Sequence, residues 1–283
     1  QRWFVRRRGF ATGLAVAGIG VGTLIAPPIS NFLVETLGWR QTFQVLAAVT
    51  LVIGLIAAWM LVPNPAARGL YPDGDAHSGG ESASLSGMSM QAALRSKPFW
   101  LLFSASAIIS LGLFVPFVHL AKFSQDHGHA DSLSILLISL IGVGSMSGRL
   151  TLGGLADRFG RHRAMIAMFL GIAMVQVWWY SSTAYWALVV YAVLFGLFYG
   201  GYVALAPALA ADYFGTRNVG GILGVQYSSI AMGTLIGPVA AGFAFDLTGA
   251  YELPIAASAS AAFLALAIIL LLPSPSEWRR EMS

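Results

Sequence analysis

Arg149 is a lone cation inside the apolar run ILLISLIGVGSMSGRLTLGGL, residues 135–155. A guanidinium at membrane depth is costly to bury, so such a residue faces a cavity, a partner or a ligand. Its planar fork offers two parallel N–H donors to a carboxylate, and that grip is stronger in a low-dielectric cavity than in water. Arg149 is therefore the first candidate anchor for a small organic anion. The opposing reading is structural: Asp157 lies about 12 Å further along a helix, so Arg149 could snorkel towards it. No carboxylate stands within one turn to pair with it.

Other groups could join that site. Tyr199 and Tyr202 of the YGGY sequence, with Gln226 and Tyr227, supply hydroxyls and an amide. Aromatics in apolar helices also serve as packing or interface anchors. His119, in FVPFVHLAKF, is either a titrating group or an interfacial polar residue. The HGH of His127 to His129 has weak metal-like spacing and reads as a solvated loop. No HExxH, GxSxG or GxxxxGK[ST] pattern occurs, so no enzyme, no cofactor and no metal is expected, and no nucleotide site to drive transport.

The elements that position these residues are membrane helices. The chain is 57% hydrophobic and only 10% charged, too few charges for a water-exposed surface. The absence of cysteine excludes disulfides and thiolate metal sites. A net charge of +4 does not mean nucleic acid, since the cations cap apolar segments and form no face with interleaved aromatics. Eight segments reach the ~20 residues that span a ~30 Å hydrocarbon layer. They are expected at 10–34, 41–62, 98–123, 132–154, 163–181, 184–211, 218–245 and 251–272. They lack the alternation of barrel strands, so the expected class is an all-α membrane protein.

Thirteen of the sixteen Lys and Arg fall in loops and tails on one side, against Arg40 and Lys122 on the other. That asymmetry places both ends of the chain and the 64–97 linker in the cytoplasm. The linker is rich in Gly, Ser, Pro and Asp, and only its end, MSMQAALRSKPFW, suits a short interfacial helix. At an offset of 211 residues, Gly9, Gly22, Thr23, Pro27 and Gly38 fall on Gly220, Gly233, Thr234, Pro238 and Gly249. The first two spans then repeat the last two. A mate for the third span would lie about 110 residues before Gln1, room for four further spans. Gly-x-x-x-Gly pairs at Gly18/Gly22, Gly196/Gly200 and Gly233/Gly237 predict close helix approach.

The sequence GGLADRFGRHR, residues 153–163, resembles the signature loop G-x-L-x-D-R-x-G-R-x-R of the major facilitator superfamily. RRRGFATGLAVAGIG, ETLGWRQTFQVL and ALRSKPFWLL look like its monocarboxylate transporter and oxalate/formate antiporter branch. The resemblance implies eight of twelve transmembrane helices. Residues 1–63 would end the N-terminal six-helix half, 64–97 would link the halves, 98–273 would be the C-terminal half and 274–283 a cytoplasmic tail. It implies a secondary transporter of small organic anions, monocarboxylates first, working by alternating access with a coupling proton or counter-anion. Its setting would be a lipid bilayer, with a bacterial inner membrane expected. A drug or sugar carrier, or a non-transporting sensor on the same fold, is the alternative. It also implies that Arg149 binds substrate, and that Gly153, Asp157, Arg158, Gly160, Arg161 and Arg163 form a cytoplasmic gate. Asp157 would rest on the helix start at Arg6, Arg7, Arg8 and Gly9, while Arg158 and Arg161 pair with Asp212. Two departures are visible: Ser145 stands where animal-type members have an aspartate, and 220–245 lacks the lysine of oxalate antiporters.

Overall fold

The computed structural model describes residues 3, 8–62, 65–71, 87–215 and 217–282, without the side chains of 8–13, 15, 66, 67, 157, 279, 281 and 282. Its helices run in chain order as α1 (Arg8–Leu37), α2 (Trp39–Met60), α3 (Met90–Leu94), α4 (Lys97–Leu113), α5 (Val115–Asp126), α6 (Asp131–Phe159), α7 (Arg161–Tyr180), α8 (Tyr185–Phe214), α9 (Val219–Thr248), α10 (Glu252–Leu270) and α11 (Pro275–Met282). Eight stretches are long and apolar enough to cross a bilayer, and they coincide with the eight expected spans. The third, Lys97–Asp126, is broken rather than continuous. Phe114 separates α4 from α5, and Pro116 sits in the first turn of α5, where its missing N–H costs nothing.

α6 lies at the centre, packed on α8 along one side and α1 along the other. α4 packs on α9 and α10, and α7 on α8 and α10. The core runs through Phe99, Ile109, Leu137, Ile141, Phe195 and Leu209, all buried. α2 turns apolar residues such as Leu51, Ile53 and Trp59 outwards, as a lipid-facing helix does. The offset of 211 residues reappears in the backbone. α1 and α9 are both 30 residues long, and their bounds coincide under that shift. Gly38 (φ 77°) and Gly249 (φ 69°) close them, a left-handed conformation that glycine alone adopts at no steric cost. Thr23 Oγ1 donates to the Ile19 carbonyl at 2.9 Å, and Thr234 Oγ1 to that of Ile230 at 2.8 Å.

The two ends of the chain's polar segments are more ordered than composition suggests. The linker's last residues dock on the α8–α9 junction, where Met88 N donates to the Phe214 carbonyl at 2.8 Å and Asn218 Nδ2 to that of Met88 at 3.3 Å. Ser89 caps α3, and Ala93 is fully buried. The expected tail forms α11, capped reciprocally: Ser274 N donates to Glu277 Oε2 at 2.7 Å and Glu277 N to Ser274 Oγ at 3.3 Å.

Candidate functional site

Arg149 is placed by the crossing of α6 and α8. A methyl group on Gly144 would strike the Val193 carbonyl, and one on Gly148 would strike that of Leu197. From the other side, Gly196 meets the Ile141 carbonyl and Gly200 that of Ser145. Two Gly-x-x-x-Gly pairs therefore face each other backbone to backbone, and no larger residue fits at those positions. Gly196/Gly200 behaves as the sequence predicts, and so does Gly233/Gly237, which packs on Ala107, Ser110 and Leu111 of α4. Gly18/Gly22 does not: nothing lies near either residue, and α1 meets α6 through Gly20 and Gly142 instead. Among the described residues it is Gly20, on the side of α1 turned to α6, that makes the close approach.

The crossing sinks Arg149 to 2% exposure. Its Nε, Nη1 and Nη2 have no hydrogen-bond partner among the described residues, and its guanidinium carbon lies 5.8 Å from the centre of the Tyr199 ring. Among the described residues the side chain is buried beside the Tyr199 ring of α8. One turn earlier on α6, the Ser145 hydroxyl is also buried without a partner. On α8, Tyr202 is 2% exposed and its hydroxyl is unsatisfied. Its polar neighbours are Ser106 of α4, Tyr227 of α9 and Tyr199. Gln226 Nε2 donates to Ser106 Oγ at 3.2 Å. Arg149, Tyr199, Tyr202 and Gln226 thus form one buried polar group on three helices, α6, α8 and α9, while Tyr227, beside Gln226 on α9, is 44% exposed. Ser106 completes it from α4; serines are common in apolar helices, and only its contact with Gln226 marks it.

His119 is not part of this group. Its Nε2 lies 3.0 Å from the Pro238 carbonyl and its ring packs edge-on against Tyr251 at 6.0 Å. It ties α5 to α9 at Pro238. His129 Nε2 contacts the Thr183 carbonyl at 2.8 Å and His127 Nδ1 that of Phe123 at 2.7 Å, which uses the HGH imidazoles locally.

At the far end of α6, Gly160 (φ 91°) makes the sharp link to α7 that the GRHR turn requires. Arg161 Nη1 donates to Asp212 Oδ1 of α8 at 2.9 Å. Arg158 and Gly153 instead stand clear of close neighbours: Arg158 is exposed, and nothing lies within 4 Å of a Cβ at Gly153. Arg163 is exposed on the first turn of α7. The Asp157 side chain, Arg6, Arg7 and the Arg8 side chain lie outside the described residues.

Comparison with known proteins points one way. The model of the Major Facilitator Superfamily matches residues 1–180 and 114–281. Monocarboxylate transporter 12-B of Danio rerio is 28% identical over 275 residues, covering 88% of this chain and 57% of that protein. The aspyridones efflux protein apdF of Emericella nidulans is 25% identical over 245 residues, covering 84% of this chain and 46% of its own length. The crystal structure of the Major Facilitator Superfamily transporter FucP in its outward conformation superposes with a TM-score of 0.56 at 16% identity, over 84% of this chain and 55% of FucP. The chain spans about half the length of the relatives it matches.

Proposed function

The chain belongs to the Major Facilitator Superfamily, and from that premise we propose that the protein is a secondary transporter of small organic anions, monocarboxylates first, that holds the substrate carboxylate through Arg149. The observation that carries this reading is the buried guanidinium with all three nitrogens unpartnered among the described residues. A charge in that position is uncompensated until an anion arrives, and the planar fork suits a carboxylate better than any neutral ligand. Tyr202 and Ser145 add two unsatisfied hydroxyls, each able to donate to an anion. The similarity to monocarboxylate transporters supports the substrate class.

In this reading, residues 1–63 and 98–273 belong to opposite halves, and α1 against α6 is a contact between halves. The charged loop 153–163 faces the cytoplasm, as do both ends of the chain, and Arg161–Asp212 forms part of its closure. Transport draws on a proton or a counter-anion, and no nucleotide is used.

The test is uptake of labelled propionate into proteoliposomes. Arg149→Lys keeps the charge and loses the fork, so uptake should fall about tenfold or more, the loss expected for a bidentate charge-assisted pair. Normal uptake by Arg149→Ala would sink the reading. An efflux carrier of larger compounds, as the similarity to apdF suggests, would show no competition between propionate and other small carboxylates.

A further inference from the structure

At the end of the bundle opposite the 153–163 loop lies a cavity of about 480 Å³, walled by α5, the end of α7, the α9–α10 turn and the start of α10. It shares no residue with the Arg149 group. Its lining combines aromatic faces with carboxylates. Tyr251 is at the centre. It is 6% exposed, its ring packs on Phe245 at 4.3 Å and on Phe123 at 5.5 Å, and its hydroxyl has no hydrogen bond among the described residues. Burial, and then the charge of Asp126, push its phenol pKa up, so the ring stays neutral and its oxygen remains an open acceptor.

The charges around it do not cancel. Lys122 Nζ is paired with Asp126 Oδ1 at 2.6 Å, which neutralises the one lysine of the cavity. Glu252, in the first turn of α10, has no ion-pair partner among the described residues, and its side chain lines the same space. Glu252 is therefore the carboxylate of the lining without a paired cation among the described residues, and it shares the space with His127 and the packed rings of Phe123, Phe245 and Tyr251. An anion is repelled there. A neutral apolar ligand would leave Glu252 and the Tyr251 oxygen unused. A cation with an organic body pairs with the Glu252 carboxylate and lies against the rings.

The geometry points to a binding site for a small organic cation, of the substituted-ammonium class, between Tyr251, Phe123, Phe245 and Glu252. It is separate from the anion site and does not rest on the carboxylate reading of Arg149. Tyr251 also packs on His119, which holds the Pro238 carbonyl of α9, so an occupant would bear on that helix at its internal proline.

The probe is benzyltrimethylammonium, titrated by calorimetry onto the purified protein in nanodiscs. Saturable binding is expected. Glu252→Gln, an exposed change that leaves the fold intact, and Phe245→Leu, which keeps bulk and loses the ring, should each weaken it about fivefold. Saturating propionate should leave it unchanged. Neopentylbenzene, the uncharged isostere, should bind much more weakly. The proposal is overturned by an absence of saturable binding, by wild-type affinity in both variants, by displacement with propionate, or by equal binding of neopentylbenzene.

Discussion

At the scale of single residues, unsatisfied groups separate function from packing. A buried hydroxyl without a partner costs about 1–3 kcal/mol, and Tyr202 carries one. Removing it should relieve the folded protein and harm the ligand complex. Tyr202→Phe is expected to leave the melting temperature unchanged or raise it, and to raise the propionate KM about fivefold, the worth of one ordinary hydrogen bond. If the hydroxyl were structural, the variant would melt lower and keep its KM, which a thermal shift and an uptake titration together resolve. The sequence exposed Arg149 because a single charge in an apolar run has no bland surface to occupy. Tyr199, Tyr202, Gln226 and Tyr227 were legible only as candidates, and the meeting of the first three with Arg149 depends on contacts that spacing does not encode. His119 shows the limit: its sequence setting left two roles open, and the backbone of α9 supplied a partner that no pattern in α5 announces.

At the scale of elements, apolar length settles which segments are helices, while glycine faces settle where they touch. The α6–α8 crossing depends on Gly144 and Gly148 opposite Gly196 and Gly200. Gly144→Ala should push the helices apart at the turn that seats Arg149 over Tyr199. An overpacking cost of about 1–3 kcal/mol is expected, read as a lower melting temperature with uptake lost to a greater degree than in Gly22→Ala, where there is open space. The run IGVGSMSG held three interface glycines, yet sequence alone could not rank it above Gly18/Gly22, because both have the same spacing. α11 gives a second prediction. The Ser274 bonds hold the Glu277 carboxyl below its usual pKa. A lowered folded-state pKa stabilises the cap above the unfolded value and loses it as pH falls through the folded one. Trp278 emission, a reporter on the same helix, should therefore stay constant from neutral pH down to the ordinary glutamate range and shift red below it. In Glu277→Gln that acid step should vanish. The sequence marks 274–283 only as a tail, because SPSE is a four-residue signal, shorter than any hydrophobic period.

At the scale of the whole molecule, the question is what the two charge-bearing ends of α6 and α8 do when the halves move. The repeat was legible because membrane helices of one fold keep glycine and proline at the positions where backbones bend, and α1 and α9 keep even their bounds. The contact of the motif with its partner was legible only in part. Both Arg158 and Arg161 were candidates for Asp212, and it is Arg161, one residue past the sharp turn at Gly160, that reaches it. That pair is about one third exposed on each side, so its worth to stability is small, about 0–1 kcal/mol after solvent screening. Its value to a gate can still be large, since an alternating carrier needs only a difference between two states. If closure of the 153–163 loop uses this pair, Arg161→Asp and Asp212→Arg should each slow propionate exchange about threefold to tenfold, the rate equivalent of roughly 1 kcal/mol. Melting temperature should hardly move. The charge-swapped double variant should recover most of the rate, because the attraction is restored with its sign reversed. The single Asp212→Arg variant separates a gate from a topology signal: it adds a cation on that side, so a topology signal would leave it inserted and as fast as the wild type. A double variant slower than both single ones would place the role of Arg161 in its other contacts.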